Sequence, residues 1–204
     1  MSREAAVRLA AKRKDDRRGR ASARSATMHR CGPVDHGAAM CSDCFMALEF
    51  PNGSHVLPPG RHPATVLEIE TALVEAFPTS TRRRTLYRRW LAVREAIRRI
   101  VAVEEEWLDG SYVTREQEPQ DIDMVSHLPH DAVDRLDDAG KAMLTGLVAG
   151  HRSRDLHACD SFFLVTYPEG HPQHALYQQA LQYWDGLFGH DRSGSPKGYV
   201  EVTE

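Results

Sequence analysis

The stretch Trp107-Leu108-Asp109-Gly110-Ser111, followed after nine residues by Asp121-Ile122-Asp123-Met124, constrains this chain more than any other. Apolar Ile122, Met124 and Val125 tie the second segment to a core as a strand, so Asp121 and Asp123 at alternate positions share one face. Two carboxylates held side by side repel each other and cost desolvation unless a cation lies between them. Hard oxygen ligands in that arrangement suit Mg²⁺ or Mn²⁺, which takes the rest of its shell from water and substrate phosphates. Gly110 ahead of them lets a turn bring backbone N–H groups against an anion, and the Ser111 hydroxyl adds a donor. The spacing thus places a phosphate cradle beside a metal-binding pair, the parts needed for metal-assisted phosphoryl transfer. The alternative is an exposed loop pair that binds nothing.

The surrounding pattern alternates helices and strands. Residues 50–63 read as loop from their Pro and Gly cluster. Thr65 with Glu68 forms a capping box, and Val66, Ile69, Leu73, Val74 and Phe77 follow helical spacing up to Pro78. A second helix begins at Ser80 or Thr81 and repeats Leu86, Trp90, Val93, Ile97 and Ile100, its arginines forming a solvated face. Strands are expected over 103–109 and 121–127, then a helix over 131–148, broken near Gly140. Ser161–Tyr167 is an apolar strand, His174–Leu187 a helix, and Tyr199–Val202 a last strand. The order α-α-β-β-α-β-α-β predicts an α+β domain, a mixed sheet with helices packed on one side.

Charge divides the chain into two regions. Residues 1–30 hold ten Arg or Lys and three acids, leaving 16 basic and 26 acidic side chains for the rest. A tail of Arg, Lys, Ala and Ser buries too little apolar area to offset the entropy of ordering, so residues 1–45 are expected to be a disordered basic tail and 46–204 the domain. Met46 offers a second translation start, in which case the tail is not part of the natural protein. Cys31, Cys41 and Cys44 with His36 or His29 have the donors for Zn²⁺, although a single C-x₂-C pair also fits a tail with no metal. The fourth cysteine, Cys159, reads as a small buried hydrophobe. No run approaches the roughly 18 apolar residues of a membrane span, and no apolar segment follows the basic N-terminus. The expectation is a cytoplasmic protein with no membrane partner, in a compartment that keeps thiols reduced.

A Gly-Ser pair ending a strand, about ten residues, then Asp-x-Asp on the next strand is similar to the signature of the DNA polymerase β nucleotidyltransferase superfamily. Leu57-Pro58-Pro59-Gly60-Arg61-His62 and Asp191-Arg192-Ser193-Gly194-Ser195-Pro196-Lys197-Gly198 resemble the two ends of a bacterial family of uncharacterised nucleotidyltransferase-like proteins, so the resemblance spans about residues 50–204. It implies a minimal nucleotidyltransferase-like sheet and a third carboxylate from a later strand. Asp160 is the first candidate and Asp155 the second; otherwise Asp160 caps its strand or meets a nearby arginine. Lys197 and Arg192, in a Gly- and Ser-rich loop, either meet a triphosphate or are ordinary surface residues. Arg61 and His62 are further candidates for the cleft. No Gly-x-Ser-x-Gly elbow or histidine partner supports Ser111 as a nucleophile.

The implied activity is Mg²⁺-dependent transfer of a nucleoside monophosphate from a nucleoside triphosphate to a hydroxyl of a protein, a transfer RNA or a small molecule. The competing reading is a non-catalytic protein of the same fold, acting by interaction in a toxin–antitoxin or phage-defence system. A third is nucleic-acid binding through the basic tail and a zinc knuckle.

Overall fold

The computed structural model describes residues 48–51 and 53–204, so the tail, its expected disorder and the zinc candidates Cys31, Cys41 and Cys44 lie outside the described residues.

The helix starts obey their caps. The Thr65 hydroxyl accepts from the Glu68 amide at 3.2 Å, and the Glu68 carboxylate accepts from the Thr65 amide at 2.7 Å. This reciprocal pair satisfies donors that a helix start leaves open. Helix α1 (Val66–Glu70) continues as a π-helical turn, Thr71–Glu75, and helicity is lost before Pro78. Ser80 caps α2 (Thr81–Ile100) by accepting from the Arg83 amide at 3.1 Å. The helix expected over 131–148 is two, α3 (His130–Asp134) and α4 (Asp138–Leu147). The break comes at Asp137, whose carboxylate accepts from the Gly140 amide at 2.7 Å and so starts a new helix. A short helix that the sequence reading did not anticipate, α5 (His151–His157), precedes the long α6 (His174–Phe188).

Five strands form one sheet: β1 (Gly60–Thr65), β2 (Glu105–Asp109), β3 (Ile122–Pro129), β4 (Cys159–Thr166) and β5 (Gly198–Thr203), in spatial order β1-β5-β2-β3-β4. The outer pairs β1·β5 and β3·β4 are parallel, and β2 runs antiparallel to both its neighbours. This is the mixed α+β sheet expected. β1 corrects the reading of residues 60–63 as loop. Its Pro63 and Gly60 are tolerated because the strand lies at the edge, hydrogen-bonded on one side only.

The two faces bury different cores. Leu108, Ile122, Met124, Val200 and Val202 pack with Ile69, Leu73, Leu86, Trp90, Val93 and Ile97, so α1 and α2 cover one face, joined by apolar residues of α3 and α4. Trp107, Val125, Leu164 and Tyr199 point the other way and meet Trp184 and Phe188 of α6. The expectation of helices on one side therefore holds for α1 to α4, while α6 covers the opposite face. The reason is visible in β2 and β3, whose alternate residues are apolar on both sides.

His127 belongs to this second face. It is 1% exposed, its ring lies 4.3 Å from that of Trp107, and its Nε2 has no hydrogen-bond partner. Burial, with Arg61 adding to it, lowers its pKa from 6.5 to about 4. The unfolded chain then takes up a proton that the folded chain refuses. This contribution to stability is present above pH 6.5 and is lost as the pH falls to 4, by about 3 kcal/mol at the usual conversion of roughly 1.4 kcal/mol per pKa unit. In denaturant titrations, His127→Phe should lose much less stability than the wild type between pH 7 and pH 4. Equal losses in the two proteins would show that another group carries the effect.

Candidate active site

The site forms where β2 ends and β3 and β4 begin. Asp123 of β3 pairs with Asp109 of β2 on one side and with Asp160 of β4 on the other. Residues directly opposite one another in a sheet share a face, so these three carboxylates form a row on the face that carries Trp107 and Val125. Asp121 lies one alternate position before Asp123. The row is bounded by two cations. Lys197, just before β5, bonds the Asp109 carboxylate, and both side chains are buried. At the other end Arg154 of α5 places Nε 2.9 Å from Asp121 Oδ2 and Nη2 2.6 Å from Asp160 Oδ2.

Gly110 makes the approach of turn to carboxylate possible. Its φ of +87° lies in the left-handed region, and a Cβ there would stand 2.7 Å from Asp123 Oδ2. Ser111 opens a 3₁₀ turn, Ser111–Val113, and its carbonyl accepts from the Thr114 amide at 3.2 Å and the Thr114 hydroxyl at 2.7 Å. Arg83 holds the segment that follows. Fully buried, its guanidinium donates to the carbonyls of Leu73, Tyr112, Thr114 and Glu116 at 2.7–3.0 Å. Phe77 lies under it at 3.9 Å. Desolvation lowers its pKa to about 10, still far above neutrality, so the charge persists.

Electrostatics in the row follow from crowding. Burial pushes the Asp109 carboxyl up to about 7 in spite of Lys197, and the neighbouring Asp123 adds to the rise. The Arg154 guanidinium is held charged beyond the ordinary arginine range, chiefly by its hydrogen bond to Asp160. Asp121, Asp123 and Asp160 bring hard oxygen donors together on one face of the sheet. The donor set therefore fits Mg²⁺ or Mn²⁺, with Asp121, Asp123 and Asp160 as the residues to hold it. Among the described residues no group of three or more His, Cys, Asp or Glu side chains is gathered around a common metal position as the side chains stand.

The residues singled out by sequence are distributed as follows. Gly110, Asp121, Asp123 and Asp160 come together, and Ser111 follows Gly110 with its carbonyl turned to Thr114. Asp160 stands beside Asp123 in the sheet and meets an arginine, Arg154, as the alternative reading had it. Asp155 is exposed, and one residue on from Arg154 along α5 it points about 100° away from the row. Lys197 reaches the row, but its ammonium is engaged by Asp109 and is not open to solvent. Arg192 is exposed in a turn organised by the Asp191 carboxylate, which accepts from the Ser193 and Ser195 amides at 2.8 and 2.9 Å. Arg61 stacks over Trp107 at 4.5 Å and pairs with Asp185, while His62 bonds the Pro58 carbonyl at 2.7 Å. Neither enters the row. Cys159 is buried and its thiol is pushed up to about 12, in keeping with a small hydrophobe.

Three residues of the site escaped the sequence reading. Asp109 was detectable, because it stands directly before the glycine at the same parity as Trp107. Arg83 and Arg154 carried no signal: one was hidden in an arginine-rich helix, the other in a short polar segment. No described helix is long and apolar enough to cross a membrane. No curated protein and no solved structure matches the chain. Residues 48–203 match the model of a family of unknown function, DUF6932, and the chain belongs to that family.

Proposed function

We propose that this domain is a Mg²⁺-dependent nucleotidyltransferase of the DNA polymerase β type, transferring a nucleoside monophosphate from a nucleoside triphosphate to an acceptor hydroxyl in the cytoplasm. The observation that carries this reading is the register of Asp123 with Asp160, with Asp121 on the same face and Gly110 pressed against Asp123. A divalent cation held there would polarise the α-phosphoryl group and offset the charge of the departing pyrophosphate. The chain's own contribution is geometric. β3 and β4 fix the carboxylates, the Gly110 turn brings backbone close to them, and Arg83 keeps that turn in place. By the resemblance above, the acceptor is a protein side chain, a transfer RNA end or a small molecule.

The test is calorimetric titration with each of the four nucleoside triphosphates, in Mg²⁺ and in EDTA, alongside pyrophosphate release. Asp121→Asn/Asp123→Asn should abolish the Mg²⁺-dependent part of binding and reduce release by about a thousandfold or more, the scale of losing a main charge-stabilising element. Binding and release that survive the double substitution would rule the reading out.

One observation favours a second reading. Arg154 pairs with Asp121 and Asp160, and Lys197 with Asp109, so these carboxylates have cationic partners within the chain itself. A non-catalytic interaction protein, one partner of a toxin–antitoxin or phage-defence pair, would keep such a site as a structural ion-pair network. Pyrophosphate release that requires Asp123 would eliminate it.

A further inference from the structure

One guanidinium fills the point where two of the candidate metal ligands meet. Arg154 Nε lies 2.9 Å from Asp121 Oδ2 and 3.0 Å from Asp160 Oδ1, and Nη2 lies 2.6 Å from Asp160 Oδ2. These carboxylate oxygens cannot bond the arginine and a divalent cation with the same lone pairs.

The helix and the side chain are held very differently. α5 is flanked by two residues with left-handed backbone, Gly150 at φ +62° and Ala158 at φ +55°. Ala158 is the only non-glycine residue of positive φ among the described residues, a conformation that persists only where its surroundings impose it. At Ala158 the amide donates to the Arg154 carbonyl at 2.7 Å and the carbonyl accepts from the Ile122 amide at 3.2 Å; at the other end the buried Ser153 hydroxyl donates to the Gly150 carbonyl at 2.5 Å and accepts from the Ser161 amide at 3.2 Å. The Gly150 amide bonds the Ser161 carbonyl at 2.9 Å. The helix is thereby pinned to β4. The Arg154 side chain, by contrast, is 43% exposed, so rotation about its own bonds takes the guanidinium out of the carboxylates without moving α5.

We infer that Arg154 is an exchangeable counter-ion. It neutralises Asp121 and Asp160 when no divalent cation is held, leaves them when one is, and then turns its fork of N–H donors to the triphosphate. The last step rests on the nucleotidyltransferase reading; the first two rest on the carboxylates alone. A guanidinium suits both tasks, because its paired donors match carboxylate and phosphate oxygens alike.

The experiment compares wild type with Arg154→Ala, using two probes. With Mn²⁺ alone, followed by loss of the free-ion electron paramagnetic resonance signal, the variant should bind about tenfold more tightly or better, since a competing unit charge is gone. With inorganic tripolyphosphate at saturating Mg²⁺, followed by calorimetry, the variant should bind about tenfold more weakly, the scale of losing one charge-assisted bond. Equal or weaker Mn²⁺ binding overturns the counter-ion role. Unchanged tripolyphosphate binding overturns the transfer to phosphate.

A wild-type measurement guards against a variant that does not fold. The Arg154 Nε–H resonance, shielded by its bonds to Asp121 and Asp160, should exchange faster with water as Mg²⁺ is added; a rate that does not change overturns the displacement. Nucleoside triphosphates that fail to bind the wild type would count against the nucleotidyltransferase reading. The Mn²⁺ comparison would still decide the counter-ion role.

Discussion

Arg83→Met should lower the stability of the domain by about 4 kcal/mol, the range seen when one partner of a buried charged network is removed. The side chain is fully buried, and its guanidinium serves four main-chain carbonyls belonging to the π-helical turn and to the segment after Ser111. Methionine fills a similar volume but donates nothing, so those acceptors lose their partners, at about 1–3 kcal/mol for each one left without water. Lysine would fare little better, because a compact ammonium with three donors does not reach acceptors arranged around a planar fork. Arg88→Met is the comparison, since Arg88 is exposed on the same helix and its replacement should change stability by less than about 0.5 kcal/mol. Guanidinium chloride unfolding of the two variants decides the matter. Similar midpoints would mean that the buried arginine is not a structural keystone.

Gly110→Ala should damage both stability and the carboxylate row. A left-handed φ costs a non-glycine residue roughly 1–2 kcal/mol. The added methyl would also stand 2.7 Å from Asp123 Oδ2, too close for either group to remain where it is. Asp123 is the easier to move, being a side chain, and a displacement of about 1 Å at a reacting centre is worth about a hundredfold in rate. On the nucleotidyltransferase reading, the expected result is a domain that still folds, destabilised by about 2 kcal/mol, with pyrophosphate release reduced by about two orders of magnitude and Mg²⁺-dependent nucleotide binding weakened. Gly53 provides the control, because it also has positive φ but nothing lies within 4 Å of the Cβ position. Gly53→Ala should destabilise to a similar or smaller degree and leave binding intact. If the two variants bound nucleotide equally well, the closeness of Gly110 to Asp123 would have no functional meaning.

Much of the architecture could be read from local chemistry. Thr65 with Glu68, Ser80 and Pro78 marked helix boundaries through backbone donors and acceptors that must be satisfied nearby. The short apolar run near Phe162, bounded by Pro168, marked a strand. What escaped was decided by distant partners. Gly60, Arg61, His62 and Pro63 have the composition of a loop and become a strand because β5 offers them a parallel edge. α5 has no apolar face to announce it and is set by Ser153 reaching the backbone of Gly150 and Ser161. The site divides in the same way. Asp121, Asp123 and the glycine before them declare themselves by spacing within one hairpin. That Asp160 stands beside Asp123, with Arg154 across it, depends on the register of β4 against β3, which no spacing in the chain encodes.

The place of β5 bears on how the protein is made. This strand lies between β1 and β2 yet is synthesised after every other strand, and Lys197 at its start must find an aspartate 88 residues earlier in the chain. While the ribosome is still extending the chain, β1 and β2 have no bridge between them, and both expose unpaired backbone that other chains could join. Long-range closure of this kind is slow, and its intermediates are the ones that aggregate. The yield of native protein should therefore depend on how readily β5 fills the gap between β1 and β2, more than on anything in the first helices.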